Sequence, residues 1–310
     1  MILTVTLNTA LDVTYHVPRL RPHASHRVSD ITERPGGKGV NVARVLAALG
    51  HEVTATGFAG GPVGEVLRTA LAHSPGVRDA FVPCAGTTRR TLAVVDETTG
   101  DTTQFNEAGP DIAPAEWAAF LTRFEELAAG ARAVALCGSL PPGVPVGAYA
   151  TLIRAARAAG VPVLLDTSGE PLRRGVAARP DIVKPNASEL AQLTGSREPL
   201  PATLAARRRG AHAVVTSLGP AGLLAATPQG VWQAAPPAPL AGNPTGAGDS
   251  AVAGLLAGLA HDEDWPTRLT HAVALSAATV KAPAAGEFDA GTYELLRQTV
   301  TVTAGQPGCR

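Results

Sequence analysis

The chain has 310 residues, its 26 lysines and arginines are balanced by 26 aspartates and glutamates, and only 4% of its residues are aromatic. This neutral, aromatic-poor composition argues against nucleic acid or an anionic membrane as a partner. No apolar stretch reaches the ~20 residues that span a bilayer, and no basic region followed by an apolar run suggests a secretory signal. The three cysteines, Cys84, Cys137 and Cys309, are widely spaced and do not resemble metal ligands. We therefore expect a cytoplasmic protein.

Short β-branched runs alternate with amphipathic helical stretches along the chain. Strands are predicted at residues 2–7, 53–58, 133–137, 161–166, 181–183 and 213–217. Helices are predicted at residues 40–49, around 66–71, at 148–159, at 188–194, around 252–259 and at 267–281. This alternation predicts an α/β fold in which a mostly parallel sheet carries helices on both faces.

In such sheets, ligands bind beyond the carboxyl ends of the strands. Several polar residues fall at or just after predicted strand ends: Asn8, Ser139, Asp166, Lys184, Asn186 and Ser217. We expect these side chains to lie along one edge of the sheet.

Two stretches, at about 12–32 and 88–106, are strand-like but more polar than the predicted core strands. We expect them to pair into a small sheet beside the main one, serving as a lid or as a contact between two subunits. Residues 1–310 are then one domain that includes this lid.

The segment Gly246-Ala247-Gly248-Asp249 precedes an apolar stretch at helical spacing. Glycines let backbone N–H groups approach an anion, and a helix that starts there adds the positive end of its dipole. A carboxylate among these donors would repel a phosphate, unless it accepts the proton of a hydroxyl that attacks that phosphate. The segment therefore predicts the catalytic corner of a small-molecule kinase.

These motifs also admit other interpretations. The same residues fit a dinucleotide fingerprint, but prolines precede them where that motif requires a strand. A plain helix cap at Asp249 is the structural alternative. Asp166-Thr167-Ser168-Gly169 resembles an aspartic protease triplet, which would need a second copy. A non-catalytic sugar-phosphate sensor would be expected to lose the base or the anion hole, and the sequence retains both.

Two further motifs contain two of the chain's three lysines, Lys38 and Lys184. Gly36-Gly37-Lys38-Gly39 leads into a helix on which Asn41 can hydrogen-bond a sugar hydroxyl, although a flexible turn has the same composition. Asn186 and Glu189, just after Lys184, fit either a capping box or a site around hydrated Mg²⁺.

Together these segments resemble the ribokinase-like, phosphofructokinase B family of carbohydrate kinases. Thr6-Leu7-Asn8-x-Ala10-Leu11-Asp12, Gly37-Lys38-Gly39-Val40-Asn41 and Gly138-Ser139-Leu140-Pro141-Pro142-Gly143 are similar to the branch of 1-phosphofructokinases and tagatose-6-phosphate kinases. The resemblance implies a three-layer α/β/α fold with a small β-sheet lid. It also implies ATP and Mg²⁺ as cofactors, a sugar phosphate as substrate, and a homodimer formed through the lid.

The resemblance assigns roles to residues of this sequence. Asp249 matches the catalytic base, and Gly246, Ala247 and Gly248 match the anion hole. The positions that match substrate contacts are Asp12, Gly37, Lys38, Asn41, Arg89, Ser139, Asp166 and, from the lid, Arg27. The positions that match the nucleotide side are Lys184, Asn186, Ser217, Gly219 and Gly222, and Asn186 with Glu189 matches the metal site through water.

Departures from the family pattern bear on the substrate. Gln104 and Ser25 stand where fructose-6-phosphate kinases of this branch carry an arginine and a lid lysine. The segment 281–286 lacks the usual Gly-Thr near the adenine pocket. We therefore expect an ATP-dependent hexose-phosphate kinase that acts on fructose 1-phosphate, with tagatose 6-phosphate and fructose 6-phosphate as alternatives.

Overall fold

The structure, a computed structural model, describes residues 1–305. Its strands are β1 (Ile2–Thr6), β2 (Ala10–Val17), β3 (Ile31–Gly36), β4 (Val53–Ala59), β5 (Val77–Asp79), β6 (Val82–Pro83), β7 (Arg89–Asp96), β8 (Thr102–Asn106), β9 (Ala133–Cys137), β10 (Val163–Asp166), β11 (Ile182–Val183), β12 (Ala213–Ser217), β13 (Leu223–Thr227), β14 (Gly230–Ala235) and β15 (Thr301–Gly305). Its α-helices are α1 (Lys38–Ala48), α2 (Gly61–Ala72), α3 (Pro114–Ala129), α4 (Ala148–Ala158), α5 (Gly169–Ala177), α6 (Ala187–Thr194), α7 (Pro199–Arg208), α8 (Ala247–Ala260), α9 (Trp265–Thr279) and α10 (Ala290–Thr299).

Within residues 1–305 the main sheet has eleven strands, in the order β15-β14-β13-β12-β11-β10-β9-β1-β4-β5, with β6 also paired to β4. Every pairing from β12 to β5 is parallel, whereas β13, β14 and β15 add antiparallel strands at one side. The mostly parallel sheet predicted from the alternation of elements is therefore confirmed.

Helices cover both faces of this sheet, as a parallel sheet requires. One apolar core includes α1, α8 and α9, represented by Leu46, Leu255 and Leu275. The other includes α3 and α4, represented by Phe120 and Leu152. These layers confirm the predicted α/β/α architecture.

A separate four-stranded sheet has the order β3-β2-β7-β8, so the two polar strand-like stretches do pair. Strands β2 and β7 pair in parallel. Strand β3 pairs antiparallel with β2, and β8 pairs antiparallel with β7. The first predicted stretch, at about 12–32, began too late and ended too early, because β2 starts at Ala10 and β3 ends at Gly36, and most of residues 18–30 forms a loop. Pro18 and Pro22 suit such a loop, since proline cannot donate to a sheet ladder.

The prediction missed several elements and shifted others. Helices α3, α5, α7 and α10 and the antiparallel strands β13–β15 were not predicted. Helix α8 starts at Ala247, inside the Gly246–Asp249 segment where a helix start was predicted, and five residues before the apolar stripe begins. The reason is that its first turn holds glycine, alanine and a buried aspartate in place of large apolar residues.

No helix of the described chain is long and apolar enough to cross a membrane. Cys84 and Cys137 are free and buried, and Cys309 lies outside the described residues.

The contact between α8 and α9 depends on a glycine, and this makes a stability prediction. A Cβ atom at Gly254 would lie 2.7 Å from the backbone N of Ala272. Because a helix backbone cannot yield cheaply, Gly254→Ala should lower the free energy of unfolding by about 1–3 kcal/mol. Urea denaturation measures this change.

The matched control is Gly291→Ala in α10, where the nearest atom to an added Cβ is Asp289 Oδ1 at 3.6 Å. That change should leave stability unchanged or raise it by up to about 1 kcal/mol, because alanine favours helix more than glycine does. An equal loss in both variants would contradict the close packing of α8 against α9.

Candidate active site

The carboxyl ends of the central parallel strands bring distant polar residues together. In the register of the sheet, Cys137 at the end of β9 lies beside Thr6 of β1 and Asp166 of β10. Gly138 continues the ladder by donating its N–H to the backbone oxygen of Asp166. The strand-end residues predicted from the sequence therefore do share one edge.

Asp166 is buried between two lysines. Its Oδ1 accepts a hydrogen bond from Lys38 Nζ at 2.9 Å, and its Oδ2 lies 3.2 Å from Lys184 Nζ. Burial favours the neutral acid, but the charges of Lys184 and Lys38 outweigh it and hold the pKa of Asp166 below its usual range. The carboxylate thus stays ionised and fixes both ammonium groups beside it.

The two lysines differ in exposure. The side chain of Lys184 is 5% exposed, whereas that of Lys38, in the first turn of α1, is 41% exposed. Burial acts against the ammonium of Lys38, yet Asp166 and Asp249 raise the pKa of Lys38 above its usual range. Lys38 can therefore hold Asp166 and still face a bound anion.

Asp249 lies in the first turn of α8 and is only 7% exposed. Gly246, in the left-handed region at φ 83°, is the residue that precedes this helix, so Asp249 is not its N-cap. Asn41 Nδ2 donates to Asp249 Oδ2 at 2.9 Å. Burial, assisted by the nearby charge of Asp166, raises the pKa of Asp249 to about 6 against the opposing effects of Lys38 and Asn41. A carboxylate with such a pKa suits a proton acceptor at neutral pH.

The turn before α8 is tightly packed. A Cβ at Gly246 would lie 2.7 Å from both Cα and Cβ of Ala285, and its positive φ already disfavours other residues. A Cβ at Gly248 would be 3.6 Å from Lys184 Nζ, so this lysine lies beside the start of the helix. Ala247 is the first residue of α8. The positive end of the helix dipole and the two lysines thus converge on one place.

Asp12 lies inside β2 rather than in a turn, beside Arg34 of β3 and Thr91 of β7. A Cβ at Gly36 would collide with its carboxyl group, so glycine is required there. Burial raises the pKa of Asp12 to about 6, although Thr91 and Arg89 act against it. Like Asp249, this carboxyl group can accept hydrogen bonds from hydroxyls when it is ionised.

Asn8, Arg89 and Ser139 form one hydrogen-bonded group. Asn8 Nδ2 lies 3.1 Å from Ser139 Oγ, and Arg89 Nε donates to the backbone oxygen of Asn8 at 3.2 Å. Arg89 also donates to Thr91 and to the backbone oxygen of Glu107. The guanidinium is therefore positioned between the first strand and the small sheet.

Two buried amide oxygens lack partners among the described residues, namely Oδ1 of Asn8 and Oδ1 of Asn41. A buried acceptor without a donor is costly, and a ligand hydroxyl would satisfy it. Gly37, at φ 99°, starts the turn into α1 and brings its backbone against Thr6. These features fit a polyhydroxylated ligand.

A cavity of about 770 Å³ adjoins the start of α8, where Ala247 and Gly248 contribute to its lining. Its lining includes polar loop residues after β11 and β12 and apolar residues of α8 and α9: Asn186, Ser217, Gly219, Gly222, Gly248, Ala251, Val273 and Val280. A second cavity of about 520 Å³ includes Asp12, Arg34 and Gln104 and shares Pro244 with the first. The two cavities therefore adjoin at the segment before α8.

Asn186 and Glu189 do form the capping box that was the structural alternative. Asn186 Oδ1 accepts from the Glu189 N–H at 2.9 Å, and Glu189 Oε2 accepts from the Asn186 N–H at 2.8 Å. Glu189 Oε1 and Asn186 Nδ2 are left outside this cap. In residues 1–305 no three His, Cys, Asp or Glu side chains are grouped to hold a metal directly. A metal ion here would be held largely through water.

The structure does not bring every predicted residue together. Arg27 is exposed in the loop between β2 and β3. Lys281 is exposed just after α9, and Gln104 is exposed on β8. Arg27 and Lys281 would contact a ligand or a second subunit only from outside the cluster, whereas Gln104 lines the second cavity with Asp12.

The sequence prediction missed an ion-pair cluster around Glu287. Glu287 Oε1 lies 2.9 Å from Arg44 Nη2 and 2.8 Å from Arg34 Nη1, and Arg44 Nη1 donates to the backbone oxygen of Ala285. The cluster joins β3 of the small sheet, α1 and the segment that packs on Gly246. Arg44 lies three residues after Asn41 on α1, but its partner is 243 residues away, so local spacing gave no signal.

Known proteins share this sequence pattern and this fold. Residues 4–290 match the pfkB family of carbohydrate kinases. Phosphofructokinase-2 from Escherichia coli in complex with fructose-6-phosphate is 32% identical over 96% of this chain and 98% of that chain, with a TM-score of 0.88. The tetrameric inhibited form of that enzyme matches with 31% identity, the same coverage and a TM-score of 0.88.

A possible 1-phosphofructokinase from Thermotoga maritima is 26% identical over 99% of this chain and all of that chain, with a TM-score of 0.86. The family match covers nearly the whole chain, and the fold agrees with it. This chain therefore belongs to the pfkB family of carbohydrate kinases.

Proposed function

We propose that the protein phosphorylates a hexose phosphate from ATP, with fructose 1-phosphate as the acceptor and Asp249 as the general base. The observation that carries this proposal is the buried carboxyl group of Asp249, whose pKa is raised to about 6 at the start of a glycine-led helix. Lys38 and Lys184 lie beside it, so a base and an anion site occupy the same corner.

In this proposal Asp249 takes the proton from the acceptor hydroxyl as that oxygen attacks the transferred phosphoryl group. The hydrogen bond from Asn41 orients the carboxylate, and Oδ1 of Asn41 accepts from a sugar hydroxyl. The backbone N–H groups of Gly246 and Gly248 stabilise the charge on the transferred group, whereas the N–H of Ala247 donates to the backbone oxygen of Pro244 at 3.1 Å. The low exposure of Asp249 keeps bulk water from competing for the reaction.

The nucleotide fits the 770 Å³ cavity, because its lining combines apolar side chains with Ser217, Gly219 and Gly222. Kinases of this family use ATP and a divalent metal. When bound, ATP supplies the phosphoryl group and Mg²⁺ neutralises part of its charge. Lys184 would contact the phosphates, while Asn186 and Glu189 would orient metal-bound water without leaving the capping box.

The phosphate of the substrate is assigned to Arg89, Ser139 and Lys38, and its hydroxyls to Asp12, Gly37 and Asn41. Arg89 combines a fixed guanidinium with a partly buried position, which suits bidentate binding of a phosphate. Asp166 acts in this scheme through the two lysines that it holds.

The choice of fructose 1-phosphate depends on two departures from the family pattern, one on β8 of the small sheet and one in the loop between β2 and β3. Neutral Gln104 and Ser25 stand where the resemblance implies basic residues in fructose-6-phosphate kinases. Fructose 6-phosphate is the second candidate, because a complex of the similar phosphofructokinase-2 contains it. Tagatose 6-phosphate is a third acceptor that the same site would admit.

The small sheet would close over the substrate and pair with a second copy of the chain. Ile31 of β3 and Phe105 of β8 are 53% and 57% exposed on its two outer strands, which favours burial against a partner. Exposed Arg27 could then reach a partner's substrate. A homodimer and a cytoplasmic location remain predictions.

An acceptor panel tests the proposal. Coupled ADP release is measured with fructose 1-phosphate, fructose 6-phosphate, tagatose 6-phosphate and free fructose. We expect the highest kcat/KM with fructose 1-phosphate and low activity with the free sugar. A higher kcat/KM with either 6-phosphate would contradict the assigned acceptor, and activity with none of the phosphates would contradict the proposed reaction.

The same assay tests the role of Arg89. The variant Arg89→Gln should raise KM for the phosphorylated acceptor by about tenfold or more relative to the wild type. Its neighbour Arg90→Gln is the control, because residues that follow each other in a strand point to opposite faces. Equal KM values for the two variants would remove Arg89 from the substrate site.

Loss of the base is a separate prediction. Asp249→Asn should lower kcat by about 10²-fold or more with little change in KM, whereas Asp264→Asn at the exposed start of α9 should not. A protonated carboxyl cannot accept a proton, so wild-type kcat should fall as the pH drops through about 6.

The pKa of Asp12 is also raised to about 6, so Asp12 and Asp249 could produce the same pH dependence of kcat. A second variant separates the two groups. The pH dependence of kcat should persist in Asp12→Asn if Asp249 is the titrating group. An inflection that disappears in this variant would show that Asp12 is responsible and would refute the assignment.

A further inference from the structure

A basic cavity lies at the edge of the main sheet opposite the candidate active site. Its volume is about 810 Å³. The charged and titratable residues of its lining are Arg157, Arg179, Asp181, Arg207, Arg208 and His212. Four arginines therefore face one aspartate in a space that the proposed kinase reaction does not use.

The position of this cavity separates it from the catalytic residues. Pro162, Asp181 and His212 line it, and each lies just before a parallel strand, namely β10, β11 and β12. The other end of β10 carries Asp166, roughly 13 Å away at about 3.3 Å per residue. A direct ion pair needs its nitrogen and oxygen atoms within about 4 Å of each other. An anion in this cavity would therefore not simply be bound by the lysines of the active site.

Within residues 1–305, none of the four arginines forms an ion pair with an acidic side chain. The ion pairs of the described chain use eight other arginines, Arg34, Arg44, Arg68, Arg123, Arg173, Arg174, Arg268 and Arg297. Asp181, the acid of the lining, accepts the backbone N–H of Val163 at 2.8 Å. Clustered like charges repel one another unless an anion neutralises them.

Two of the guanidinium groups are held in place by the backbone. Arg207 Nε donates to the backbone oxygen of His212 at 2.9 Å, and Arg157 Nη1 donates to the backbone oxygen of Arg179. Arg179 itself has a φ of 63°, an uncommon conformation for a residue other than glycine. A guanidinium has five N–H donors, so most of them remain for a ligand.

The lining also sets the size and shape of the ligand. Val161, Pro162 and Leu204 give the cavity an apolar wall beside the arginines. A neighbouring cavity, which shares Asp181 and His212, carries Asp262, Glu263 and Asp264. These acids would repel an anion that extended past His212, so they favour a compact ligand held on the arginine side.

We propose that this cavity binds a small compound with two or more linked phosphates. The planar guanidinium forks match phosphate oxygens and can bind them in pairs. The phosphates can belong to an inorganic polyphosphate or to a nucleotide, whose base would then contact the apolar wall. The site is independent of the proposed acceptor, because none of its residues belongs to the catalytic cluster.

Hydrogen exchange measured by mass spectrometry on the full chain tests this site with tripolyphosphate as the probe. Segments 155–162, 177–183 and 205–213 should gain protection on titration, and the midpoint gives the affinity. Arg179→Gln with Arg208→Gln should weaken this binding by about tenfold or more. The side chains of these two arginines make no hydrogen bond within residues 1–305, so the variant should fold normally.

The matched control is Arg78→Gln with Arg197→Gln, which removes the same charge from two exposed arginines elsewhere. It should bind as the wild type does. Unchanged protection at the three segments in the wild type, or equal weakening in both variants, would overturn the site. Protection confined to residues 244–252 would place the probe at the active site and would overturn it as well.

A parallel titration with ATP distinguishes the two sources of phosphate. A lower midpoint for ATP than for tripolyphosphate at the three segments supports a nucleotide that uses the apolar wall. Equal midpoints support recognition of the phosphate chain alone. ATP protection that survives unchanged in Arg179→Gln with Arg208→Gln would contradict binding at these arginines.

Discussion

The arrangement of the candidate active site depends on the buried carboxylate of Asp166 between Lys38 and Lys184. This one group joins α1, the end of β10 and the segment after β11. Removing one partner from such a buried cluster costs about 3–5 kcal/mol, because it leaves an uncompensated charge. The cluster is therefore a constraint on structure as well as a source of positive charge beside the start of α8.

Two buried aspartates in the same corner have opposite electrostatic environments. Lysines lower the pKa of Asp166, whereas burial raises the pKa of Asp249 to about 6, and the charge of Asp166 adds to that rise. Environments that separate the pKa values of neighbouring groups often assign their chemical roles. Here Asp166 would remain an ionised anchor for the lysines, and Asp249 would exchange a proton near neutral pH.

The sequence predicted the parts of this site that follow local rules. Strand ends indicated the edge of the sheet, and Gly246 to Asp249 indicated a helix start with an acidic residue among anion-binding N–H groups. The pairing of Asn41 with Asp249 spans 208 residues, and that of Arg44 with Glu287 spans 243, so no spacing rule could reveal them. The antiparallel strands β13–β15 were missed because the prediction rested on the alternation of strands with helices.

The most direct test of this account is the titration of the Asp249 carboxyl group itself. Carbon-13 NMR of the protein labelled at aspartate follows each carboxyl signal against pH, and Asp249→Asn identifies the signal of Asp249. The carboxyl group of Asp249 should titrate with a midpoint of about 6, and the signal of Asp166 should show that this carboxyl group is still ionised at that pH. A midpoint for Asp249 at or below about 4, the usual value for an exposed aspartate, would contradict its role as a base tuned by burial.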